Sequence, residues 1–508
     1  MIEKPVRYDS DNRSNKSKVL KKLDPKIAIS RDKILACYAQ GSKAVIALVE
    51  SWVEQINVLE ARIEVLENQT SKDSQNSSKP PSGDGFGKRT KSLRTKSGRK
   101  SGGQKEHLGS RLEWSEEVDE IFVHPVGECA GCGASLESVE VLSMSCRQVH
   151  DLPPIKLVVH EHQSEEKCCP GCGVLNQGSF PVAVNSLVQY GPGLKGLMVY
   201  LMEGQLLPSE RVRELLQEVI GCEISEGTLY NARRRCSEQL AAVESHIKSG
   251  IQVAPVVHFD ETGRRVKSKL MWLHVAGNDW LTAYFIDSKR GRLAMDAIAI
   301  LPHFEGVSVH DGLASYALYD STQALCNAHH LRELRFIVER YEQDWASDMM
   351  TLLIEIKQQV ATAQASGYTT LTPTKRDDFE QLYQKLIETG LQANPLPPID
   401  LAWPKPKGRP KQSPPRNLLD RLKIHQSAVL AFMNDFRVPF DNNQAERDLR
   451  MMKLKQKISG TFRSTEGAES FCRIRGYIST LRKQGIEVLD ALRLVFRETP
   501  IFPTLQPE

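Results

Sequence analysis

Residues 251–263, Ile-Gln-Val-Ala-Pro-Val-Val-His-Phe-Asp-Glu-Thr-Gly, constrain the fold most, because an apolar, β-prone run ends there in two adjacent carboxylates. Val253, Val256, Val257 and Phe259 favour a buried strand, while Glu261-Thr262-Gly263 carry turn chemistry. The pattern predicts a strand that stops at Asp260, beside a cleft. Two readings of Asp260 stand. It either closes the strand as an ordinary turn residue, or it is a metal ligand, which requires further carboxylates from elsewhere in the chain.

The chain supplies two candidates. After strands expected at 271–276 and 281–286 and an amphipathic helix near 292–301, Gly306-Val-Ser-Val-His310 again ends in an acid, Asp311-Gly312. Three strands, a helix and a strand that brings a second aspartate beside the first are the order of a ribonuclease-H-like mixed sheet, with residues 322–330 as a possible fifth strand. The third acid is Glu446, in Val438-Pro-Phe-Asp-Asn-Asn-Gln-Ala-Glu-Arg-Asp-Leu-Arg450. Asp441 followed by Gln444 has capping-box spacing, so a helix is expected to start there with Asn443, Glu446, Arg447 and Arg450 on one face. Asp260, Asp311 and Glu446 together suit two Mg²⁺ or Mn²⁺ ions, which prefer hard oxygen ligands and support in-line phosphoryl transfer. Glu261, beside Asp260, is a further candidate for sharing that coordination. The cations that follow Glu446, namely Arg447, Arg450, Lys453, Lys455 and Lys457, are expected to hold a DNA backbone. Between Asp311 and Glu446, Cys326-Asn-Ala-His329 is either a metal-binding CxxH or a brace for the core.

A formal charge of only +4 over 508 residues hides a local imbalance. Lys88, Arg89, Lys91 and Arg94 open a run of cations that continues to Lys105 without an acid. Such a run either contacts a polyanion or stays solvated. No apolar stretch reaches the ~18 residues of a membrane span, and the polar start has no leader pattern, so a cytoplasmic, nucleoid-associated bacterial protein is expected. In that reducing compartment the 11 cysteines are free thiols or metal ligands. Cys129-Ala-Gly-Cys132-Gly and Cys169-Pro-Gly-Cys172-Gly are two CxxC knuckles, each followed by glycine, and they point to a structural Zn²⁺ on Cys129, Cys132, Cys169 and Cys172. Cys146, Cys168, His150, His160 and His162 keep that ligand set open.

Near the N-terminus, Val45, Trp52, Leu59 and Leu66 repeat every seven residues, with Val49, Ile56 and Ile63 on the alternate seam. This is either a coiled coil for self-association or an amphipathic helix lying on its own domain. Further on, residues 211–231 read as helix, turn, helix, with Gly221 in the turn and Ser225 as an N-cap, and serve either DNA reading or scaffolding.

The resulting domain plan has a disordered N-terminus (1–30), a coiled-coil helix (31–68), a basic flexible linker (69–112), a zinc-binding domain (113–185) and a helical domain (186–250). An α/β catalytic core of ribonuclease-H-like type occupies 251–335 and 436–485. A helical insertion with a basic, proline-rich loop interrupts it at 336–435, and a C-terminal helix and tail (486–508) complete the chain.

Asn76-Ser-Ser-Lys-Pro-Pro-Ser, Gly102-Gly-Gln-Lys-Glu-His-Leu-Gly, Arg147-Gln-Val-His-Asp-Leu-Pro-Pro and the cysteine knuckles, followed in order by Asp260-Glu-Thr-Gly, Asp311-Gly-Leu-Ala-Ser-Tyr, Cys326-Asn-Ala-His-His-Leu-Arg-Glu-Leu and the 438–450 motif, resemble the DDE transposases of the insertion sequence 66 family. The resemblance implies an acidic triad at Asp260, Asp311 and Glu446, a zinc finger before the core and a helical insertion between the second and third acids. It also implies cleavage and strand transfer at the terminal inverted repeats of an insertion sequence, with double-stranded DNA and small accessory proteins as partners. A catalytically inactive DNA-binding regulator and a nuclease that cleaves without joining remain the alternatives.

Overall fold

The computed structural model describes residues 31–77, 112–153, 155–396 and 412–506. The basic run at Lys88, Arg89, Lys91 and Arg94 lies outside the described residues, as does most of the proline-rich basic loop.

The chain divides into two units. The smaller contains α1 (Arg31–Ala39) and α2 (Ser42–Thr70). Neither helix buries a residue, and Val49, Ile56, Leu59, Ile63 and Leu66 of the heptad seam are exposed along α2.

The larger unit begins with the cysteine-rich segment, where a short hairpin pairs β1 (Glu166–Cys168) with β2 (Leu175–Gln177). Helix α3 (Pro192–Val199) runs into a π-helical turn at Tyr200–Gly204, and α4 (Ser209–Ile220), α5 (Glu226–Gln239) and α6 (Ala241–Gln252) follow. The expected caps are present here. Gly221 ends α4 in the left-handed conformation at φ 69°, and the Ser225 side chain accepts a hydrogen bond from the Thr228 amide at the start of α5. Leu229, Ala232 and Cys236 of α5 face the core, while Tyr230, Asn231 and Arg234 face outward.

The central sheet has five strands in the order β5-β4-β3-β6-β7: β3 (Val256–Val266), β4 (Lys269–Gly277), β5 (Thr282–Asp287), β6 (Val307–His310) and β7 (Thr322–Leu325). Strands β3, β4 and β5 form an antiparallel meander, while β6 and β7 add in parallel to β3. The parallel step from β5 to β6 passes through α7 (Arg292–Ile298), as a parallel crossover requires. One boundary differs from expectation: β3 does not stop at Asp260 but continues to Val266. The reason is its antiparallel partner, which pairs with β3 as far as Val266 opposite Lys269 across a two-residue turn. Lys267 and Ser268 both adopt positive φ there, 47° and 65°, the conformation whose twist suits a tight hairpin.

After β7 come α8 (Asn327–Tyr341), α9 (Asp344–Ala365), α10 (Pro373–Ala393), α11 (Pro414–Ile424), α12 (Gln426–Val429) and α13 (Ala431–Asn434). They enclose a core of their own that includes Trp345, Met349, Leu353, Tyr383, Leu419 and Met433 and joins the sheet at Val309 and Ala324. The chain then returns to the sheet with α14 (Asn443–Ser459), α15 (Thr465–Lys483) and α16 (Val488–Val495).

Side chains alternate across β3 and so sort its two faces. Val257 and Phe259 pack with α3, α5, α6, α15 and α16. Val266, with Leu273, Val275 and Tyr284 of its neighbours, packs under Ala445, Leu449 and Met452 of α14. Among the described residues no helix is long and apolar enough to cross a membrane.

Candidate active site

Strand β3 pairs with β6 as Val256–Val307, Val257–Ser308 and His258–Val309. The same register carried two residues further sets Asp260, within β3, level with Asp311 in the loop just past β6, where the parallel ladder stops. The loop is anchored by His310. Its Nδ1 accepts the Gly312 amide at 3.0 Å, which leaves the Nε2 proton for Gln323 Oε1 at 2.6 Å, and its ring stacks on Tyr316 at 4.4 Å. Gly312 sits at φ 90°, a conformation that favours glycine.

Helix α14 brings the third acid. Asp441 does not cap it as expected. Asn442 holds the N-cap position, while Asp441 only accepts the Asn443 amide at 3.2 Å. The Asn442 side chain points inward and is 1 % exposed. Its Nδ2 donates to the Phe259 carbonyl at 2.8 Å, its Oδ1 accepts from His258 Nδ1 at 2.7 Å, and its backbone amide donates to Cys326 Sγ at 3.1 Å. These bonds pin the start of α14 to the strand that carries Asp260. At its other end α14 is pinned by Arg264, whose Nη1 donates to the Met452 carbonyl at 2.7 Å and to Gln456 Oε1 at 3.1 Å.

Helix and strand therefore run side by side in the same direction, and their rises set which residues meet. From His258 to Asp260 the strand advances roughly 6.6 Å, and from Asn442 to Glu446 the helix advances roughly 6 Å. Glu446 arrives at the level of Asp260.

The electrostatics agree with that placement. Burial, then the charges of Asp311 and Glu261, and more weakly that of Glu446, push the Asp260 carboxyl up to about 8, against the bond its Oδ1 accepts from the Glu261 amide at 2.7 Å. Among the described residues no group of three or more His, Cys, Asp or Glu side chains is gathered into a metal-holding cluster. The three acids thus share one field without forming a closed ligand shell.

Glu261 does not share the cleft. It belongs to the opposite face of β3 and is 7 % exposed. Arg290 grips Oε1 through Nε at 2.9 Å and Nη2 at 2.8 Å, and the Tyr316 hydroxyl donates to Oε2 at 2.7 Å. Burial still holds its carboxyl above the ordinary range, offset by Tyr316 and Arg290. With both oxygens bound, Glu261 braces the site from behind.

Two residues of α8 complete the cleft, and the sequence assigned them no place in it. Arg332 Nη2 donates to Glu446 Oε1 at 3.3 Å, and His329 Nε2 lies 4.0 Å from the same oxygen. Their spacing of three residues on a helix, which sets both on one face, was the available signal. His329 Nδ1 is buried without a hydrogen-bond partner. Cys326 is a brace: buried, it accepts the Asn442 amide, and burial pushes its thiol up to about 12.

Of the cations after Glu446, Arg447, Arg450, Lys453 and Lys457 are exposed. Lys455 is not: it is 9 % exposed, 3.7 Å from Glu203 Oε2 and 4.7 Å from the centre of the Phe471 ring. Two residues along a helix is a turn of roughly 200°, so Lys453 and Lys455 face opposite ways.

The cysteine knuckles are two copies of one turn. The Cys129 amide donates to the Ala134 carbonyl at 2.9 Å and the Gly133 amide returns to the Cys129 carbonyl at 2.9 Å; Cys169, Val174 and Gly173 repeat this at 2.9 and 2.8 Å. Gly133 and Gly173 sit at φ 73° and 75°. Backbone amides of Gly131 and Cys132 lower the Cys129 thiol, and those of Gly171 and Cys172 lower Cys169. The two pairs are not drawn into one four-sulfur cluster. Cys168 turns its Sγ to the Gly173 carbonyl at 3.5 Å, within its own knuckle.

Residues 188–470, a span that contains the sheet, the insertion and all three acids, match a family of DNA-acting enzymes that carry out transposition. The match is to the model described as the Transposase IS66 family; it covers more than half of the 508 residues, and the chain belongs to that family. Residues 39–113 match a second model, described as a family of unknown function. No match to a curated protein is found.

Proposed function

We propose that the chain is a DDE transposase that cleaves DNA at the terminal inverted repeats of an insertion sequence and joins the freed ends to a target. What supports this reading is the level placement of Asp260 and Asp311 where the parallel ladder stops, with Glu446 near enough that its charge adds to the effects raising the Asp260 carboxyl to about 8. Burial first, and the neighbouring acids second, raise this carboxyl, and a divalent ion bound beside it would favour its ionised form. Oxygen-only donors fit Mg²⁺ or Mn²⁺, and two such ions, held by Asp260, Asp311 and Glu446, would supply an acidified water or 3′-hydroxyl and charge stabilisation of the leaving oxygen.

The protein's own contribution is positional. Asn442 and Arg264 fix α14 along β3, His310 fixes the loop of Asp311, and Glu261 with Arg290 and Tyr316 stiffens the strand from the far face. Arg447, Arg450, Lys453 and Lys457 form an exposed cationic stripe beside Glu446 that suits the backbone of a duplex.

The cysteine knuckles fit Zn²⁺: paired thiols with amide-favoured thiolates are its usual donors. The segment also needs such a cross-link, since Trp114, Ile121 and Phe122 are 61, 81 and 75 % exposed and furnish no core. The uncovered heptad seam of α2 suits a coiled coil with a second copy. In this reading the basic linker contacts DNA, accessory proteins of the same element assist, and the enzyme works at the nucleoid.

The test is incubation of the protein with Mg²⁺ or Mn²⁺ and a labelled duplex carrying the end of its element. Joined product that disappears in Asp260→Ala supports the proposal. Cation-independent binding alone would leave a DNA-binding regulator, and cleavage without joining would leave a nuclease.

A further inference from the structure

Arg332 reaches the cleft from α8, the helix that starts where β7 ends. The start of that helix is tied down by hydrogen bonds. The Asn327 amide donates to the Phe440 carbonyl at 3.0 Å, its Nδ2 donates to the Val429 carbonyl at 2.9 Å, and its Oδ1 is 3.1 Å from His330 Nδ1. The Arg332 guanidinium is held by less. Arg332 meets Glu446 through one nitrogen and one oxygen at 3.3 Å, and the two side chains are 20 and 34 % exposed. A guanidinium can bind a carboxylate through two parallel bonds, so a single long one is an exchangeable contact.

Glu446 is thereby claimed twice, by the Arg332 guanidinium and, on the reading of the acids as metal ligands, by a divalent ion. When the ion takes the carboxylate, Arg332 loses its acidic partner among the described residues. A guanidinium in a partly buried cleft needs another anion. The anion that arrives with the metals in phosphoryl transfer is a phosphodiester, and the planar fork of arginine matches its oxygens.

We propose that Arg332 is a two-position clamp: it holds Glu446 in the metal-free chain and passes to a DNA phosphate once a divalent cation occupies that carboxylate. This rests on the assignment of Glu446 as a ligand, so the test separates the two. Mn²⁺ binding is titrated without DNA, by the loss of the free-ion electron paramagnetic resonance signal, in the full chain and in Arg332→Gln, Arg332→Lys and Glu446→Gln. Duplex affinity is then measured by fluorescence anisotropy with Ca²⁺ and with a chelator.

The clamp requires that Arg332→Gln bind Mn²⁺ several-fold more tightly, since its competitor is gone, yet lose most of the gain in duplex affinity that Ca²⁺ gives the unaltered chain. Arg332→Lys, which keeps the charge but not the fork, should recover only part of that gain. A brace with no other role would show neither the tighter Mn²⁺ binding nor the selective loss of the cation-dependent gain. Unchanged Mn²⁺ affinity in both Arg332 variants, or an unchanged Ca²⁺-dependent gain, overturns the clamp while leaving the acids as ligands. An unaltered Mn²⁺ isotherm in Glu446→Gln overturns the ligand assignment and the clamp with it.

Discussion

Asp260 on β3 and Asp311 in the loop just past β6 stand at one level, two residues past the last parallel pair, His258 with Val309. Where a parallel partner ends while the antiparallel one continues, the central strand keeps its support on one side and opens to a cleft on the other. Asp260 is therefore held by β4 through its pairing with Val275, yet can respond to what enters the cleft.

A pH dependence follows from the raised carboxyl. A proton is kept in the folded chain up to about 8 but lost near 4 when unfolded, so the folded state binds more protons in that window. The melting temperature in chelator should fall as pH rises from roughly 4 to 8. Asp260→Asn should flatten the decline, and saturating Mg²⁺ should do the same in the unaltered chain while releasing protons. Melts in chelator that are equally steep in Asp260→Asn would remove Asp260 as the cause.

Asn442 is expected to matter more than its place in a polar run suggests. Asn442→Ala leaves the Phe259 carbonyl and His258 Nδ1 without partners in a buried site, at a cost of about 2–4 kcal/mol. Urea unfolding measures this. Asn442→Asp keeps the acceptor for His258 but loses the donor to Phe259, and a stability equal to that of the unaltered chain would reject the clamp described for it.

Lys453 and Lys455 should separate cleanly. Lys453→Ala should weaken duplex binding and shallow its logarithmic salt slope by about 1, the signature of a lost phosphate contact. Lys455→Ala should leave the slope alone and lower stability by about 3–5 kcal/mol, because Glu203, 1 % exposed, loses one of its two cationic neighbours. A slope change in Lys455→Ala would place that side chain on the DNA after all.

Zinc is checked by metal analysis. Cys129→Ser and Cys169→Ser should each abolish bound zinc and loosen the 113–185 segment toward proteolysis, leaving the acids of the core untouched. Full zinc content in either variant would exclude that cysteine as a ligand.

Much of this architecture was legible in the residues, and the failures have physical causes. Strands β4 to β6 announced themselves by short apolar, β-prone runs, and the start of α5 by Ser225, because such signals are local. The end of β3 was misjudged because Asp-Glu-Thr-Gly has turn chemistry while the true turn, Lys267-Ser268, lacks the glycine or asparagine that normally marks positive φ. Lys455 was grouped with its neighbours by composition, although helical periodicity alone sends it inward. Asn442 could not be singled out, since both of its side-chain partners lie on a strand more than 180 residues earlier. His329 and Arg332 shared a legible helix face, but only the return of α14 makes that face part of a cleft.

The length of the insertion has a consequence for synthesis. Glu446 follows Asp311 by 135 residues, and the helices described between them enclose a core of their own. At about 5–20 residues per second, a ribosome delivers the third carboxylate roughly 7–27 s after the second. Throughout that interval the nascent chain carries two acids on a sheet without α14 to cover it. A polypeptide truncated anywhere in the insertion would be left in that state, without the third acid.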